Sequence, residues 1–195
     1  AHVFRAGSTY LGNDGLYLNF QFFGCHLLRK VSFKHFYLRQ FGFSVLRTRE
    51  PGGCAISEDI RRIILDTANT DMCPACEALL YAAARAQHVS QVIRPAVERG
   101  MLVLCDRFVD SSVAYQGGGR GLGVETVQQI NDPAVDGMTP DATLYLAIDH
   151  REALRRRLSA SEPDRLELEA GEFHERVQKA YERLVRDNRR RFVVV

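Results

Sequence analysis

The sequence predicts a single α/β domain with three layers, in which a parallel sheet of five strands carries helices on both faces. Short apolar runs alternate along the chain with longer amphipathic runs, which is typical of a parallel sheet covered by helices. The 195 residues fit one domain, and a 46% hydrophobic fraction is enough for a sizeable core. No linker or internal repeat divides residues 1–195. Disordered, collagenous and small disulfide-rich classes are excluded.

Each predicted strand is a short, continuously apolar segment, as buried parallel strands are. These segments are 16–20, 43–48, 101–105, 142–148 and 192–195. Apolar residues recur at helical spacing in the segments 57–65, 76–99, 124–132, 151–158 and 172–186. In such folds, ligands bind beyond the carboxyl ends of the strands, so the loops after Thr48 and Cys105 are expected to form the functional site.

Charge and cysteine content narrow the choice of partners and compartment. A net charge of +2, from 26 basic and 24 acidic residues, is too small for a protein that coats nucleic acid, so small-molecule partners are expected. No apolar run reaches the roughly 18 residues that span a bilayer, and no signal peptide precedes the domain, so a cytoplasmic protein without membrane contact is expected. The five cysteines are expected to be reduced, and Cys73 and Cys76 lack the second half of a zinc site.

Two of the predicted loops combine charged side chains with residues that suit phosphate chemistry. After the second strand, Arg49 and Glu50 precede a Gly-Gly pair that would let the backbone pass close to a ligand. After the third strand, Asp106 suits Mg²⁺ or its waters, while the neighbouring Arg107 can form paired hydrogen bonds with a phosphate. An ordinary turn and a structural Asp-Arg pair are the alternatives to these two interpretations.

Seven segments, taken in order, resemble the thymidylate kinase family, whose members phosphorylate dTMP with ATP. They are 48–53, 77–83 with Arg85, 106–108, 111–120, 140–143, 164–167 and 173–177, and they extend over residues 44–186. The resemblance implies a P-loop-kinase-like fold, dTMP and ATP as ligands, Mg²⁺ as cofactor and a homodimer. A kinase for another nucleoside monophosphate is the alternative within this class.

The resemblance also implies roles for individual residues. Tyr81 would stack on thymine, and Arg85 and Gln116 would hydrogen-bond the edge of the base; a flat base needs such a π-face and a few convergent polar groups. Asp106 and Arg107 would be catalytic, and Asp106 would also hold Mg²⁺ through water. The remaining substrate-binding residues implied by the resemblance are Arg49, Glu50, Arg61, Ser112 and Tyr115.

Residues 151–167 correspond to the mobile lid of the resembled family. Arg155, Arg156 and Arg157 are consecutive, so on a helix they spread over about 200° and cannot all face one ligand. One or two of them, with Arg155 and Arg156 as the candidates, are expected to reach the transferred phosphoryl group on lid closure.

The first 43 residues conflict with the resemblance because they lack the phosphate-binding loop GxxxxGK[ST]. An ungapped count from Arg49 places the loop on residues 22–29, with Leu28 at the lysine position and Arg29 at the Ser/Thr position. A shift of two residues aligns Gly24 with the first glycine and Lys30 with the lysine, and leaves Arg29 and Val31 at mismatched positions. Three explanations are open: a homologue that binds dTMP but transfers phosphate poorly, an unusual ATP-binding loop, or a sequence error over residues 1–43. The chain also ends directly after its last predicted strand, where the resembled family continues into a helix, so a truncated C-terminus is expected.

Overall fold

The structure is a computed structural model that describes residues 17–21, 42–159 and 162–195. Within these ranges, the strands β1 (Tyr17–Gln21), β2 (Val45–Arg49), β3 (Leu102–Asp106), β4 (Ala142–Tyr145) and β5 (Phe192–Val194) form one sheet in the order β2-β3-β1-β4-β5. All pairings between these strands are parallel. The prediction of an α/β domain built on a parallel sheet is thereby confirmed. The predicted fourth strand was too long, since β4 ends three residues before 148.

Helices connect and cover the strands. They are α1 (Ala55–Leu65), α2 (Pro74–His88), a first π-helical turn (Val89–Ile93), α3 (Arg94–Glu98), α4 (Val109–Ser112), a second π-helical turn (Val113–Gly119), α5 (Val124–Val135), α6 (His150–Leu158) and α7 (Gly171–Asp187). The predicted helix 76–99 is interrupted by the first π-helical turn, which ends two residues before Pro95, a residue with no amide hydrogen to donate. No helix in the described part of the chain is long and apolar enough to cross a membrane.

Residues 109–119, for which no helix was predicted from the sequence, are helical. Three consecutive glycines lower helical propensity. The structure shows why glycine is needed there: a Cβ atom on Gly118 would lie 2.6 Å from the Ala180 methyl group, and one on Gly119 would lie 2.6 Å from the Phe173 ring. The second π-helical turn therefore packs directly on α7, and small residues make this approach possible.

Both faces of the interior strand β3, which lies between β2 and β1, are buried. Val103 and Cys105 point to one face and pack with Ile93 and Phe108. Leu104, on the opposite face, is only 1% exposed. The carboxyl ends of β2 and β3 lie side by side because Arg49 pairs in register with Asp106. The two loops that the sequence singled out therefore start next to each other.

Candidate active site

Two arginines converge at the loop that follows β2. Arg49 and Arg61 each donate a hydrogen bond to the Pro51 carbonyl oxygen at 2.9 Å, and Arg49 also bridges both carboxylate oxygens of Glu58 at 3.0 Å. Burial and the neighbouring Arg49 charge lower the pKa of Arg61. Two cations held this close together favour an anion beside them, which suits a phosphate.

Asp106 ends β3 beside this arginine pair. Its Oδ1 atom is buried and has no hydrogen-bond partner within the part of the chain that the structure describes. Burial raises the pKa of Asp106, although Arg107 and Arg49 act in the opposite direction. A buried carboxylate oxygen without a partner is suited to a ligand that the protein does not itself supply, such as a water molecule or a hydrated cation.

Arg107 turns the chain away from the strand. Its φ of 66° lies in the left-handed region, which is rare for residues other than glycine. Its guanidinium carbon lies 5.1 Å from the centroid of the Tyr115 ring. Burial alone would lower the pKa of Arg107, but interactions with Tyr115, Tyr181 and Asp106 raise it well above its ordinary value. A strained backbone and a fixed cation at the end of a buried strand are typical of a functional position.

Arg85 on α2 is 1% exposed and makes three hydrogen bonds to protein side chains, through Nε and one terminal nitrogen. Its Nε donates to Glu50 Oε2 at 2.7 Å, and its Nη1 donates to Ser112 Oγ at 3.1 Å and to the Asn131 side-chain oxygen. Three of the predicted substrate-binding residues, Arg85, Glu50 and Ser112, are thus in direct contact. Glu50 makes its contacts inside the protein rather than toward open space.

His88 extends this network to the end of β2. It is completely buried, its Nδ1 lies 3.0 Å from Glu50 Oε1, and its Nε2 lies 2.7 Å from Thr48 Oγ1. A Cβ atom on Gly53 would lie 2.4 Å from His88 Nε2, so glycine is required at that position. The loop after β2 is therefore fixed against α2 by buried hydrogen bonds.

Glu77 is the center of a second buried network. Its carboxylate accepts hydrogen bonds from Gln116 Nε2 at 2.9 Å, from Arg120 at 2.9 and 3.2 Å, and from Arg165 at 2.5 Å. Burial would raise the pKa of Glu77, but the hydrogen bonds from Arg120, Gln116 and Arg165 outweigh it and lower the pKa. Three segments that are distant in sequence thus meet at one ionised carboxylate.

Tyr81 lies between these networks on α2. It is four residues from both Glu77 and Arg85, so the three side chains share one face of the helix. Burial and the nearby Glu77 charge raise the pKa of Tyr81, while Arg107 acts in the opposite direction. The face that carries Glu77, Tyr81 and Arg85 thus points toward Arg107 and the end of β3.

The lid arginines are not part of this cluster. Arg155 and Arg156 lie on α6, are mostly exposed, and both donate to Glu152 at 2.6 to 2.9 Å. Gly24 and Lys30 lie outside the described residues. Among the described residues, no group of three or more His, Cys, Asp or Glu side chains could hold a metal ion, and Cys73 and Cys76 are exposed at the start of α2.

Several residues of the buried networks had no predicted role. Arg120 and Arg165 could not be paired with Glu77 from sequence, because the partners are 43 and 88 positions apart. The sequence does contain a pattern that could have identified Glu77 and His88 as members of the site. Together with Tyr81 and Arg85 they follow the spacing of four, four and three residues that places polar side chains on one face of a helix.

Comparisons with known proteins point in one direction. The family model described as thymidylate kinase matches residues 34–195. A thymidylate kinase of Bacillus pumilus is 48% identical over 171 residues, which cover 87% of this chain and 79% of that protein. One from Halalkalibacterium halodurans is 53% identical over 150 residues, which cover 76% and 71%. The crystal structure of a thymidylate kinase from Ehrlichia chaffeensis superimposes with a TM-score of 0.72 at 26% identity, over 93% of both chains.

Proposed function

We propose that this chain, which belongs to the thymidylate kinase family, transfers the γ-phosphate of ATP to dTMP and releases dTDP and ADP. As a member of that family it is a kinase and a transferase of nucleotide biosynthesis. The observation that carries the proposal is the convergence of three arginines, Arg49, Arg61 and Arg107, around the ends of β2 and β3, directly beside the polar face of α2.

The dTMP base would be bound at the polar face of α2. Tyr81 would stack on thymine, Arg85 and Gln116 would hydrogen-bond the base edge, and Ser112 and Tyr115 would complete the pocket. Support comes from the direct hydrogen bond of Arg85 to Ser112 and from the position of Tyr81 between Glu77 and Arg107. In this role Glu50 orients Arg85 through its 2.7 Å hydrogen bond.

The phosphate of dTMP would be bound by Arg49 and Arg61, with Arg107 reaching the transferred group. A dTMP phosphate oxygen attacks the γ-phosphorus of ATP, and the bond from that phosphorus to the leaving oxygen of ADP breaks. Such a transfer needs alignment and charge neutralisation more than covalent help, and arginines supply both. The lid residues Arg155 and Arg156 would add positive charge when the lid closes.

Mg²⁺ fits this site through Asp106. The buried Oδ1 atom, which has no hydrogen-bond partner among the described residues, is a hard oxygen ligand, and Mg²⁺ is commonly held by one or two carboxylates, waters and substrate phosphates. When bound, the ion neutralises charge on the phosphate oxygens. Asp106 would hold the ion through its waters, and its charge favours the neighbouring Arg107 cation.

A coupled assay for ADP together with chromatographic detection of dTDP tests the proposal. The preparation must first have its sequence verified over residues 1–43, because Gly24 and Lys30 are the proposed ATP-binding positions there. Formation of dTDP that requires both ATP and Mg²⁺ is expected. Binding of dTMP without turnover would support a non-catalytic homologue instead, and preference for another monophosphate would overturn the choice of substrate.

We further propose that the enzyme is a homodimer. On α1, Ile56 and Ile63 are 53% and 50% exposed, and on α2, which packs against α1, Leu79 is 57% exposed. Exposed large apolar side chains on adjacent helices favour an isologous interface between two copies. Light scattering is expected to give twice 22.0 kDa, and Leu79→Glu is expected to shift the mass toward one chain. A wild-type monomer at micromolar concentration would overturn this proposal.

A further inference from the structure

Glu77 and Gln116 meet in a buried contact behind the proposed base pocket. Both side chains are at most 1% exposed, and Gln116 Nε2 lies 2.9 Å from Glu77 Oε1. We infer that Glu77 is a positioning residue that makes the site select thymine over cytosine by fixing the orientation of the Gln116 amide. The inference rests on the proposed dTMP site and gives a role to a residue outside that site.

An ionised carboxylate can only accept hydrogen bonds, whereas an amide has a donor end and an acceptor end. Glu77 therefore holds the NH₂ end of Gln116, and the carbonyl oxygen must point away from Glu77. Hydrogen bonds from Arg120 and Arg165 keep the pKa of Glu77 low, so the carboxylate stays ionised at neutral pH. Without this contact, the amide could rotate and present either end to a ligand.

The fixed orientation matters because thymine and cytosine have opposite hydrogen-bonding patterns. Thymine has a donor at N3 and an acceptor at O4, while cytosine has an acceptor at N3 and a donor amine at C4. A Gln116 carbonyl oxygen directed at N3 pairs with thymine and repels cytosine. Arg85 has donors only, so it matches O4 of thymine and cannot accept from the cytosine amine.

The carboxylate is itself held in place by its other partners. Arg120 also pairs with Glu169 at 2.6 Å, and Arg165 also donates to the Ile64 carbonyl oxygen at 2.9 Å. Each arginine is thus fixed at two points, and both donate to Glu77. Rotation of the Glu77 carboxylate would break several of these bonds at once, which explains how one residue can define the direction of the amide.

Isothermal titration with dTMP and dCMP tests the inference in the full chain. Glu77→Gln replaces the acceptor-only group with one that can accept or donate, so the Gln116 amide can turn. The ratio of dCMP to dTMP dissociation constants is expected to fall at least about tenfold, because a wrongly oriented buried group is left unpaired. KM for ATP is expected to be unchanged. The matched control is Glu169→Gln, which also contacts Arg120 but not Gln116, and which is expected to keep the wild-type ratio.

Three outcomes would overturn the inference. If wild-type protein binds dTMP and Glu77→Gln keeps the wild-type ratio, the inference fails while the proposed function stands. If verified wild-type protein does not bind dTMP, the proposed function fails and the inference fails with it. Should Glu77→Gln not fold, NMR of the wild-type Gln116 side-chain amide decides: one strongly hydrogen-bonded proton, retained on dTMP binding, is expected, and a freely rotating amide would overturn the inference.

Discussion

Two buried carboxylates of the site have opposite surroundings. Glu77 accepts hydrogen bonds from Gln116, Arg120 and Arg165, and these bonds lower its pKa. Asp106 has a buried Oδ1 without a hydrogen-bond partner among the described residues, and burial raises its pKa. The protein therefore satisfies the whole Glu77 carboxylate, whereas it leaves the buried Oδ1 atom of Asp106 without a hydrogen bond from the described residues.

The difference separates the part of the site that is built for rigidity from the part that is built for a ligand. A fully satisfied buried carboxylate stabilises the fold and fixes its neighbours. A buried carboxylate without a partner, next to a residue with a left-handed backbone, costs folding energy that a bound ligand can recover. The Glu77 region therefore prepares the base pocket, and the Asp106 region is left ready for phosphate and its cation.

The largest expected effect is on stability, at Glu77. Glu77→Ala leaves Arg120 and Arg165 buried without their shared partner, and breaking a buried ion pair in this way costs about 3–5 kcal/mol. Urea unfolding followed by circular dichroism measures the loss. A change below about 1 kcal/mol, the range of exposed pairs, would show that the network is not the rigid part of the site.

The next effect is on catalysis, at Arg107. Arg107→Ala is expected to lower kcat at least about a hundredfold, the scale for removing one preorganised electrostatic contact. The fold is expected to survive because the residue follows the strand end and contributes little to the core. Arg62→Ala is the matched control, since Arg62 is exposed and pairs only locally with Asp59. An unfolded variant whose folded fraction has normal kcat would make Arg107 structural.

A smaller effect on stability is expected at Asp106, where replacing the carboxylate should stabilise the fold, whereas replacing Glu77 should destabilise it. Its pKa is raised in the folded protein, so the folded state keeps the proton longer, and stability falls as pH rises from the unfolded pKa to the folded pKa. Asp106→Asn removes this penalty at pH 7 and is expected to raise the melting temperature by about 2–4 °C while lowering kcat. At pH values below the unfolded pKa the difference should vanish. A lower melting temperature at pH 7 would contradict the assignment.

The contribution of Glu77 to folding stability should change with pH in the opposite direction to that of Asp106. Because the pKa of Glu77 is lowered on folding, its contribution is present above pH 4.5 and is lost as pH falls through the folded pKa. The two carboxylates thus oppose each other in the pH dependence of stability. Melting curves of the two single variants across this pH range separate their contributions.

The sequence was sufficient to predict the parallel sheet and the two loops that start side by side at the ends of β2 and β3. Alternating apolar runs identify strands and helices locally, and strand ends such as Arg49 and Asp106 identify the functional edge without knowledge of packing. The sequence could not predict the helical conformation of 109–119, because the glycines that suggest a loop are required by contacts with Ala180 and Phe173 far along the chain.

The sequence also could not predict which acidic side chains have hydrogen-bond partners inside the protein. Glu50 was predicted to bind substrate, and the structure shows its carboxylate in contact with Arg85 and His88 on α2. Whether an acidic side chain is satisfied depends on which distant residues reach it. Arg165, 88 positions from Glu77, is an example that no local pattern reveals.

The smallest effect is expected at Glu169, which tests whether burial or pairing makes Glu77 important. Both carboxylates contact Arg120, Glu169 at 2.6 Å and Glu77 at 2.9 Å, so pairing distance alone would rank Glu169 first. The Glu169 side chain, however, is 29% exposed, whereas Glu77 is not exposed at all. Water can solvate Arg120 when Glu169 is neutralised, so Glu169→Gln is expected to cost less than about 1 kcal/mol in urea unfolding. If Glu169→Gln costs as much as Glu77→Ala, then the number of ion pairs that Arg120 makes determines the stability of this region, and the burial of the carboxylate does not.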